Sequence, residues 1–202
     1  MFPQTLHQFI TSQGWGAIVS AQPLGGGCIN DARLLTTHSG PQLFLKQNRA
    51  IPVDMFAREA DGLRELAKAP GAPRVPQVHL SSPEFLLLEY LPPEPRSPRC
   101  WEIFGEQMAA LHLHTRPHFG FDADNYIGST PQPNRENLDG FTFFADQRLF
   151  FQAGLAHRAG LLSSAEVRQV EHVCQRLPDL IPAQPASLLH GDLWSGNIHL
   201  GP

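Results

Sequence analysis

The sequence predicts an α+β protein of two lobes: an N-terminal lobe built on an antiparallel β-sheet with one helix, and a mostly helical C-terminal lobe. Strand-like segments dominate the first ninety or so residues, the Pro-rich stretch "PPEPRSPR" follows, and apolar residues then recur at helical spacing. The predicted boundaries are residues 1–91 for the first lobe, 92–98 for the linker and 99–202 for the second lobe. Such a division favours a ligand site in the cleft between lobes.

The first lobe is predicted from strand and turn signals. The stretch "GAIVSAQPLGGGCINDARLLTTHSGPQLFLKQN" is typical of strand, glycine loop, strand, turn and strand, with "HSGP" as the turn. The stretch "VDMFAREADGLRELAKA" predicts a helix, because its apolar residues recur every 3.6 positions. Two further strands are expected around Gln77–Leu80 and Glu84–Leu91.

Three helices are predicted in the second lobe. One apolar face of the first helix is formed by Trp101, Phe104, Met108, Leu111 and Thr115. The second helix, "FTFFADQRLFFQAGLAHRAG", is apolar almost all round and should be buried. The third runs from about Ser163 to Leu177, with Ser163 or Ser164 as N-cap.

Composition excludes several classes of protein. The formal net charge is −4 without a long run of Lys or Arg, which argues against a nucleic-acid partner. No apolar run approaches the ~20 residues that span a bilayer, and the N-terminus lacks the features of a signal peptide. The three cysteines match neither a disulfide framework nor a zinc site. We therefore expect a soluble, cytoplasmic protein that does not bind membranes.

Consecutive glycines stand between the first two strands, in "LGGGCIN". Glycine permits positive φ and leaves backbone N–H groups unobstructed, so Gly25, Gly26 and Gly27 are candidates for a phosphate cradle. A flexible hairpin tip is an equal alternative, since the pattern matches neither GxGxxG nor GxxxxGK[ST].

A lysine and a glutamate follow the glycine loop. Strand alternation places Phe44 and Lys46 on one face of a strand and Leu45 on the other. Glu59 comes thirteen residues later, in the predicted helix. Taken singly, the Lys is more simply a solvated edge-strand residue and the Glu a surface charge. In the order glycine loop, strand Lys and helix Glu, they form the set with which protein-kinase-like enzymes hold nucleotide phosphates.

Two further stretches complete the pattern. The strand "FLLLEYLP" passes into the linker, where its backbone could meet an adenine edge, although an ordinary core strand explains it equally well. In "HGDLWSGN", Asp192 and Asn197 have the spacing of Asp and Asn in the kinase loop H-R-D-x-x-x-x-N. The Asp can orient an attacking hydroxyl, and the Asn oxygen can ligate Mg²⁺. His190 is expected to fix the loop backbone rather than to bind a metal.

These stretches resemble the fructosamine kinase (ketosamine 3-kinase) family, within the protein-kinase-like group of aminoglycoside phosphotransferases and choline kinases. The resemblance covers essentially the whole chain. It is carried by "GGGCIN", "LFLK", "FAREADGL", "LLLEYL", "LHLHTRPHFGFDADNYIGSTPQPN", "FFADQRL" and "LLHGDLWSGN". It implies a protein-kinase-like fold whose first lobe binds ATP, with ATP and Mg²⁺ as cofactors. The implied reaction transfers the γ-phosphate of ATP to a sugar hydroxyl of a ketosamine, either a small molecule or a glycated protein, in deglycation repair.

The resemblance also implies a role for each candidate residue. On the nucleotide side, these are the phosphate loop, its Lys–Glu pair and the backbone contacts to adenine: Gly25, Gly26, Gly27, Lys46, Glu59, Glu89 and Leu91. Asp192 would be the catalytic base and Asn197 a Mg²⁺ ligand. Trp194 would stack on the sugar or on the amine-bearing part of the substrate.

One departure from the family pattern concerns a second metal-binding Asp, which is expected after the catalytic loop. No Asp follows Asp192 in this sequence. We therefore expect a C-terminally truncated member with an incomplete helical lobe, inactive or nearly so by itself. Exposure of its apolar helix would favour association into a dimer. Two alternatives stay open: another small-molecule kinase of the aminoglycoside or choline type, and a catalytically dead nucleotide-binding protein.

Cys28 directly follows the glycines. Backbone N–H groups that converge on phosphate would also favour a thiolate, which makes Cys28 a redox candidate. A small apolar filler at the base of the loop is the simpler alternative. Cys100 and Cys174 fall in predicted helices and should react more slowly.

Overall fold

The computed structural model describes residues 2–25 and 31–201. The chain forms two compact units, one comprising residues 1–108 and 190–202 and the other residues 109–189. These units are defined by packing, and their boundaries differ from the predicted lobes at residues 1–91 and 99–202 with a linker at 92–98. The assignment of those lobes to nucleotide binding and catalysis stays a prediction.

The first unit contains a five-stranded sheet in the order β1-β2-β3-β5-β4, in which every neighbouring pair is antiparallel. Its strands are β1 (Ile18–Pro23), β2 (Asp31–Thr37), β3 (Leu43–Gln47), β4 (Val78–Ser81) and β5 (Phe85–Glu89). All five were predicted, because turn residues separate short apolar runs that have strand periodicity.

Two helices cover the two faces of this sheet. Helix α1 (Gln4–Ser12) packs Leu6 and Ile10 on the face that carries Leu45, while α2 (Met55–Leu66) packs Phe56 on the opposite face. Residues 85–88 of β5 are all buried as a result. The prediction of one helix in this lobe was therefore incomplete. Helix α1 is short and follows Pro3 without a side-chain cap, so the usual start signal was missing.

Helix α3 (Cys100–Leu113) leads into the second unit. The predicted apolar face of this helix is only partly correct: Leu111 is buried, but Trp101 is 50% exposed and Thr115 lies in a strand. That strand, β6 (Thr115–Arg116), pairs with β9 (Ala186–Ser187), and β7 (Asn125–Ile127) pairs with β8 (Thr130–Gln132).

The remaining helices also belong to this unit. They are α4 (Gly140–Phe144), a π-helical segment (Ala145–Phe150), α5 (Phe151–Arg158), α6 (Ser164–Gln175) and α7 (Leu177–Leu180). Ser163, one of the two serines predicted as N-cap, caps α6, and it forms a capping box with Glu166. No helix among the described residues is long and apolar enough to cross a bilayer.

The predicted buried helix over residues 141–160 is in fact α4, the π-helical segment and α5 in sequence. Of its described residues only Phe143 and Ala153 are buried, and Phe144 is 41% exposed. The expectation of full burial was therefore wrong for this chain. Helix α6 packs against the π-helical segment on one side, and polar side chains of that segment bind a neighbouring loop.

Candidate active site

Lys46 and Glu59 form an ion pair between the sheet and helix α2. Lys46 Nζ lies 2.5 Å from Glu59 Oε1, and the two side chains are 23% and 32% exposed. The edge-strand interpretation of Lys46 is wrong, because β3 lies between β2 and β5 in the middle of the sheet. The structure thus brings together two residues that the sequence could connect only by their order along the chain.

Apolar packing places Glu59 within reach of Lys46. Strand register puts Lys46 opposite Leu86 of β5, on the face where Phe56 and Ala60 of α2 pack. Because Ala60 follows Glu59 directly, burial of Ala60 fixes the rotation of the helix at that position. The geometry of the ion pair is therefore a consequence of the core beneath it.

The glycine loop is described only at its first glycine. A Cβ on Gly25 would meet nothing within 4 Å, whereas Gly26, Gly27 and Cys28 lie outside the described residues. The loop starts from a paired hairpin base, since Leu24 N–H donates to Ala32 O at 2.9 Å. The phosphate-binding and redox roles of this loop stay predictions.

Hydrogen bonds hold the end of β5 at Glu89. Its carboxylate accepts from the Arg74 guanidinium and, at 3.2 Å, from the backbone N–H of Gln77. The backbone N–H of Glu89 donates to Gln77 O at 2.8 Å. The N–H of Leu91 donates to no residue in the described part of the chain. A backbone contact from Glu89 to a ligand would therefore use its carbonyl, while Leu91 can offer its N–H.

Hydrogen bonds shape the loop that carries Asp192. Gly191 has φ +85°, a conformation that glycine adopts without strain. The backbone N–H of Asp192 donates to His190 Nδ1 at 3.3 Å, which confirms that His190 fixes the loop backbone. The Asn197 amide donates to the backbone O of Asp192 at 2.8 Å and to its Oδ2 at 3.2 Å. This leaves Asn197 Oδ1, the atom suited to a cation, without a partner among the described residues.

The ring of Trp194 lies across Gly196 in the same loop. A Cβ on Gly196 would come within 2.4 Å of Trp194 Cη2, so this position requires glycine if the ring stays in place. Residues 195–197 form a single 3₁₀ turn, and the Trp194 side chain is 56% exposed. An exposed aromatic ring anchored over a turn can stack on a ligand. The predicted strand-like segment after the loop carries no strand.

The donor set at this loop can be compared with what a cation needs. Among the described residues, no group of three or more His, Cys, Asp or Glu is arranged to hold a metal ion. Mg²⁺ has a different requirement, because it keeps several waters and binds substrate phosphates through one or two protein oxygens. Asn197 Oδ1 is an oxygen of this kind and therefore fits Mg²⁺.

A polar network in the second unit was missed from the sequence. Arg148 donates to Asn134 Oδ1 at 2.6 Å and to Pro133 O at 2.5 Å, and its guanidinium lies 4.6 Å from the Phe143 ring centroid. Burial lowers the pKa of Arg148, and the charge of Asp124 opposes that shift. The network joins "FGFDADNYIGSTPQPN" to "FFADQRL". No periodicity indicates such a contact between distant loops, so only the fold could show it.

The model of the family described as fructosamine kinase matches residues 1–202. The chain belongs to the fructosamine kinase family. A probable ketoamine kinase, YniA, of Escherichia coli (strain K12) is 38% identical over 205 residues, which cover 98% of this chain and 70% of that protein. The chloroplastic protein-ribulosamine 3-kinase of Arabidopsis thaliana is 34% identical over 209 residues, covering 98% and 63% of the two chains.

Solved structures agree with this family and define the fold. A Thermobifida fusca YX-ER1 protein assigned as a fructosamine-3-kinase has a TM-score of 0.85 and 30% identity, over 98% of this chain and 70% of that one. The gentamicin complex of APH(2")-IIa has a TM-score of 0.56 and 15% identity, over 100% and 67% of the two chains. The second likeness shows the fold alone. This family member thus has the kinase-like fold that the sequence predicted.

Proposed function

We propose that this protein is an ATP-dependent ketosamine kinase, which phosphorylates a sugar hydroxyl of fructosamine- or ribulosamine-type substrates. The observation that carries the proposal is the Lys46–Glu59 ion pair, because kinase-like enzymes use this pair to hold nucleotide phosphates. Family membership and the names of the E. coli and Arabidopsis relatives support the ketosamine as acceptor.

On the nucleotide side, Lys46 binds the phosphates of ATP while Glu59 keeps its ammonium group in place. Gly25, Gly26 and Gly27 supply backbone N–H groups to the phosphates. The carbonyl of Glu89 and the N–H of Leu91 contact the adenine edge. The roles of the glycines rest on the sequence alone. The Lys46–Glu59 ion pair supports the role of Lys46, and the hydrogen bond already made by the Glu89 N–H supports the use of the Glu89 carbonyl.

On the acceptor side, Asp192 accepts the hydrogen bond of the attacking hydroxyl and orients its oxygen. That oxygen forms a bond to the γ-phosphorus, the bond from the γ-phosphorus to the leaving oxygen of ADP breaks, and the hydroxyl proton passes to Asp192. Asn197 holds the Asp192 carboxylate through its amide. Asn197 Oδ1 would hold Mg²⁺, which would supply positive charge against the phosphate oxygens.

Trp194 stacks on the sugar or on the amine-bearing part of the acceptor. Its ring is exposed and rests on Gly196, which limits the directions from which a ligand can cover it. Both free ketosamines and glycated side chains of proteins carry the same sugar and are candidate acceptors. Dependence on ATP and on such metabolites favours a cytoplasmic protein, without nucleic acid as a partner.

The test is an ADP-release assay with fructosyl- and ribulosyl-lysine as acceptors, with and without Mg²⁺. Kanamycin and choline serve as competing acceptors at equal concentration. Because no Asp follows Asp192 to serve as a second metal ligand, we expect slow ADP release. It should occur with the ketosamines only, accompanied by a phosphorylated ketosamine in the mass spectrum. Phosphorylation of kanamycin or choline in preference to both ketosamines would contradict the proposal. ATP binding without transfer to any acceptor would favour a nucleotide-binding protein instead.

A further inference from the structure

Three hydrogen bonds join Glu89, the last residue of β5, to the loop before β4. Arg74 donates to its Oε1, the backbone N–H of Gln77 donates to its Oε2 at 3.2 Å, and its own N–H donates to Gln77 O at 2.8 Å. The side chains of Arg74 and Glu89 are 49% and 30% exposed. The loop before β4 and the end of β5 are thereby joined by one backbone hydrogen bond and by the Glu89 carboxylate.

These hydrogen bonds around Glu89 lie where regular strand pairing stops. Leu43 of β3 pairs with Glu89, and no described strand pairs with the two residues that follow. Strand ends without such support fray, which would blur the positions of the Glu89 carbonyl and the Leu91 N–H. Those are the two backbone groups proposed to contact adenine, since the Glu89 N–H is already bonded.

We propose that Arg74 is a positioning residue for the nucleotide: it holds the Glu89 side chain and so fixes the backbone that contacts adenine. The inference rests on the proposed function, since it assumes that ATP binds at Glu89 and Leu91. This role requires no contact between Arg74 and the nucleotide. A half-exposed ion pair adds little to folding stability, so its effect should appear in nucleotide affinity rather than in the melting temperature.

The experiment measures the dissociation constants of ATP and of inorganic tripolyphosphate by titration calorimetry. Tripolyphosphate has no base and reports on the phosphate site alone. In Arg74→Gln we expect about two- to fivefold weaker ATP binding with unchanged tripolyphosphate binding, in proportion to the energy of a half-exposed pair. Arg74→Lys should recover part of the affinity, because it keeps the charge. Arg176→Gln, which removes an exposed ion pair to Asp179, should change neither constant.

A double-mutant cycle separates this role from a general loss of structure. If Arg74 acts through Glu89, then Arg74→Gln combined with Glu89→Gln should weaken ATP binding no more than Glu89→Gln alone. Unchanged ATP affinity in Arg74→Gln, additive effects in the cycle, or equal weakening of ATP and tripolyphosphate would overturn the inference. Failure of the unaltered protein to bind ATP at all would overturn the proposed function itself.

Discussion

The side chain of Asn197 donates to both the backbone oxygen and the carboxylate of Asp192, at 2.8 and 3.2 Å. The two residues are five positions apart in sequence, and a 3₁₀ turn over residues 195–197 closes that distance. The contact fixes the direction of the carboxylate before any substrate binds. Preorganised groups of this kind avoid reorganisation during the reaction.

Replacing Asp192 by Asn should abolish most of the turnover. The neutral amide cannot accept the proton of the hydroxyl, so we expect the kcat for ketosamine to fall by about 10²- to 10⁴-fold, the usual contribution of a general base. ATP affinity should stay within about twofold, since the nucleotide contacts of the first unit are untouched. Asp179→Asn, at an exposed residue paired with Arg176, is the matched control. Retention of more than about a tenth of the rate would show that Asp192 is not the base.

Replacing Lys46 by Met should weaken ATP handling without unfolding the protein. The methionine can fill the space of the lysine stem beside Phe44, but it brings no charge to the phosphates. We expect kcat/KM for ATP to fall by at least about tenfold, while the thermal unfolding midpoint changes little. The control is Lys68→Met, which removes a 2.6 Å ion pair with Glu65 at a side chain that is 65% exposed. Equal losses in the two variants would contradict a specific role for Lys46.

Two glycine substitutions should change stability in opposite directions. Gly62 lies inside α2, where an added Cβ meets nothing within 4 Å. Gly62→Ala should therefore raise the free energy of unfolding by about 0.5–1 kcal/mol through helix propensity. Gly140→Ala should lower it, because its Cβ would come 2.5 Å from Cζ of the Phe119 ring. Urea unfolding of both variants measures these changes. A change of the same sign in the unfolding free energy of both variants would contradict the prediction.

The capping box of α6 should make stability depend on pH. Hydrogen bonds from the backbone N–H and the hydroxyl of Ser163 lower the pKa of Glu166 in the folded state. Because folding favours its charged form, Glu166 stabilises the protein at pH values above its pKa in the unfolded state, which is about 4.3 for a glutamate. This contribution is lost as the pH falls through the lower pKa of the folded state. We expect Glu166→Gln to lose this titration, so that its unfolding free energy differs from wild type at pH 7 and converges with it below about pH 3. A constant difference from pH 7 to 3 would argue against the effect.

Thiol labelling should distinguish the three cysteines. Cys174 is 8% exposed, and burial together with the charges of Asp146 and Glu171 raises its pKa, so it should react slowest. Cys100 is partly exposed and should react faster than Cys174. The sequence-based prediction for Cys28 is fast labelling that MgATP slows. Mass spectrometry of peptides labelled at pH 8 would rank the reaction rates of the three cysteines. If MgATP does not change the labelling rate of Cys28, a structural role for this residue is favoured.

Local sequence patterns were sufficient for the strands, for α2 and for the cap of α6. Each of these depends on residues close together in the chain: turn residues between short apolar runs, apolar spacing along one helix, and a serine at the start of another helix. Patterns that span only a few residues can be recognised directly from the sequence. The order of glycine loop, Lys46, Glu59 and Asp192 indicated a protein-kinase-like enzyme, whereas the family was indicated by the resemblance of longer stretches such as "FGFDADNYIGSTPQPN".

Only the tertiary structure decided which of the open interpretations holds for individual side chains. An edge strand and a central strand have the same local pattern, so the partly buried pairing of Lys46 with Glu59 depended on strand order and on α2 packing. The bonds from Arg148 to Asn134 and from Arg74 to Glu89 span fourteen and fifteen residues and follow no period. Local propensity determines which elements form, but contacts between elements depend on how their apolar faces pack, and that information is distributed over the whole chain.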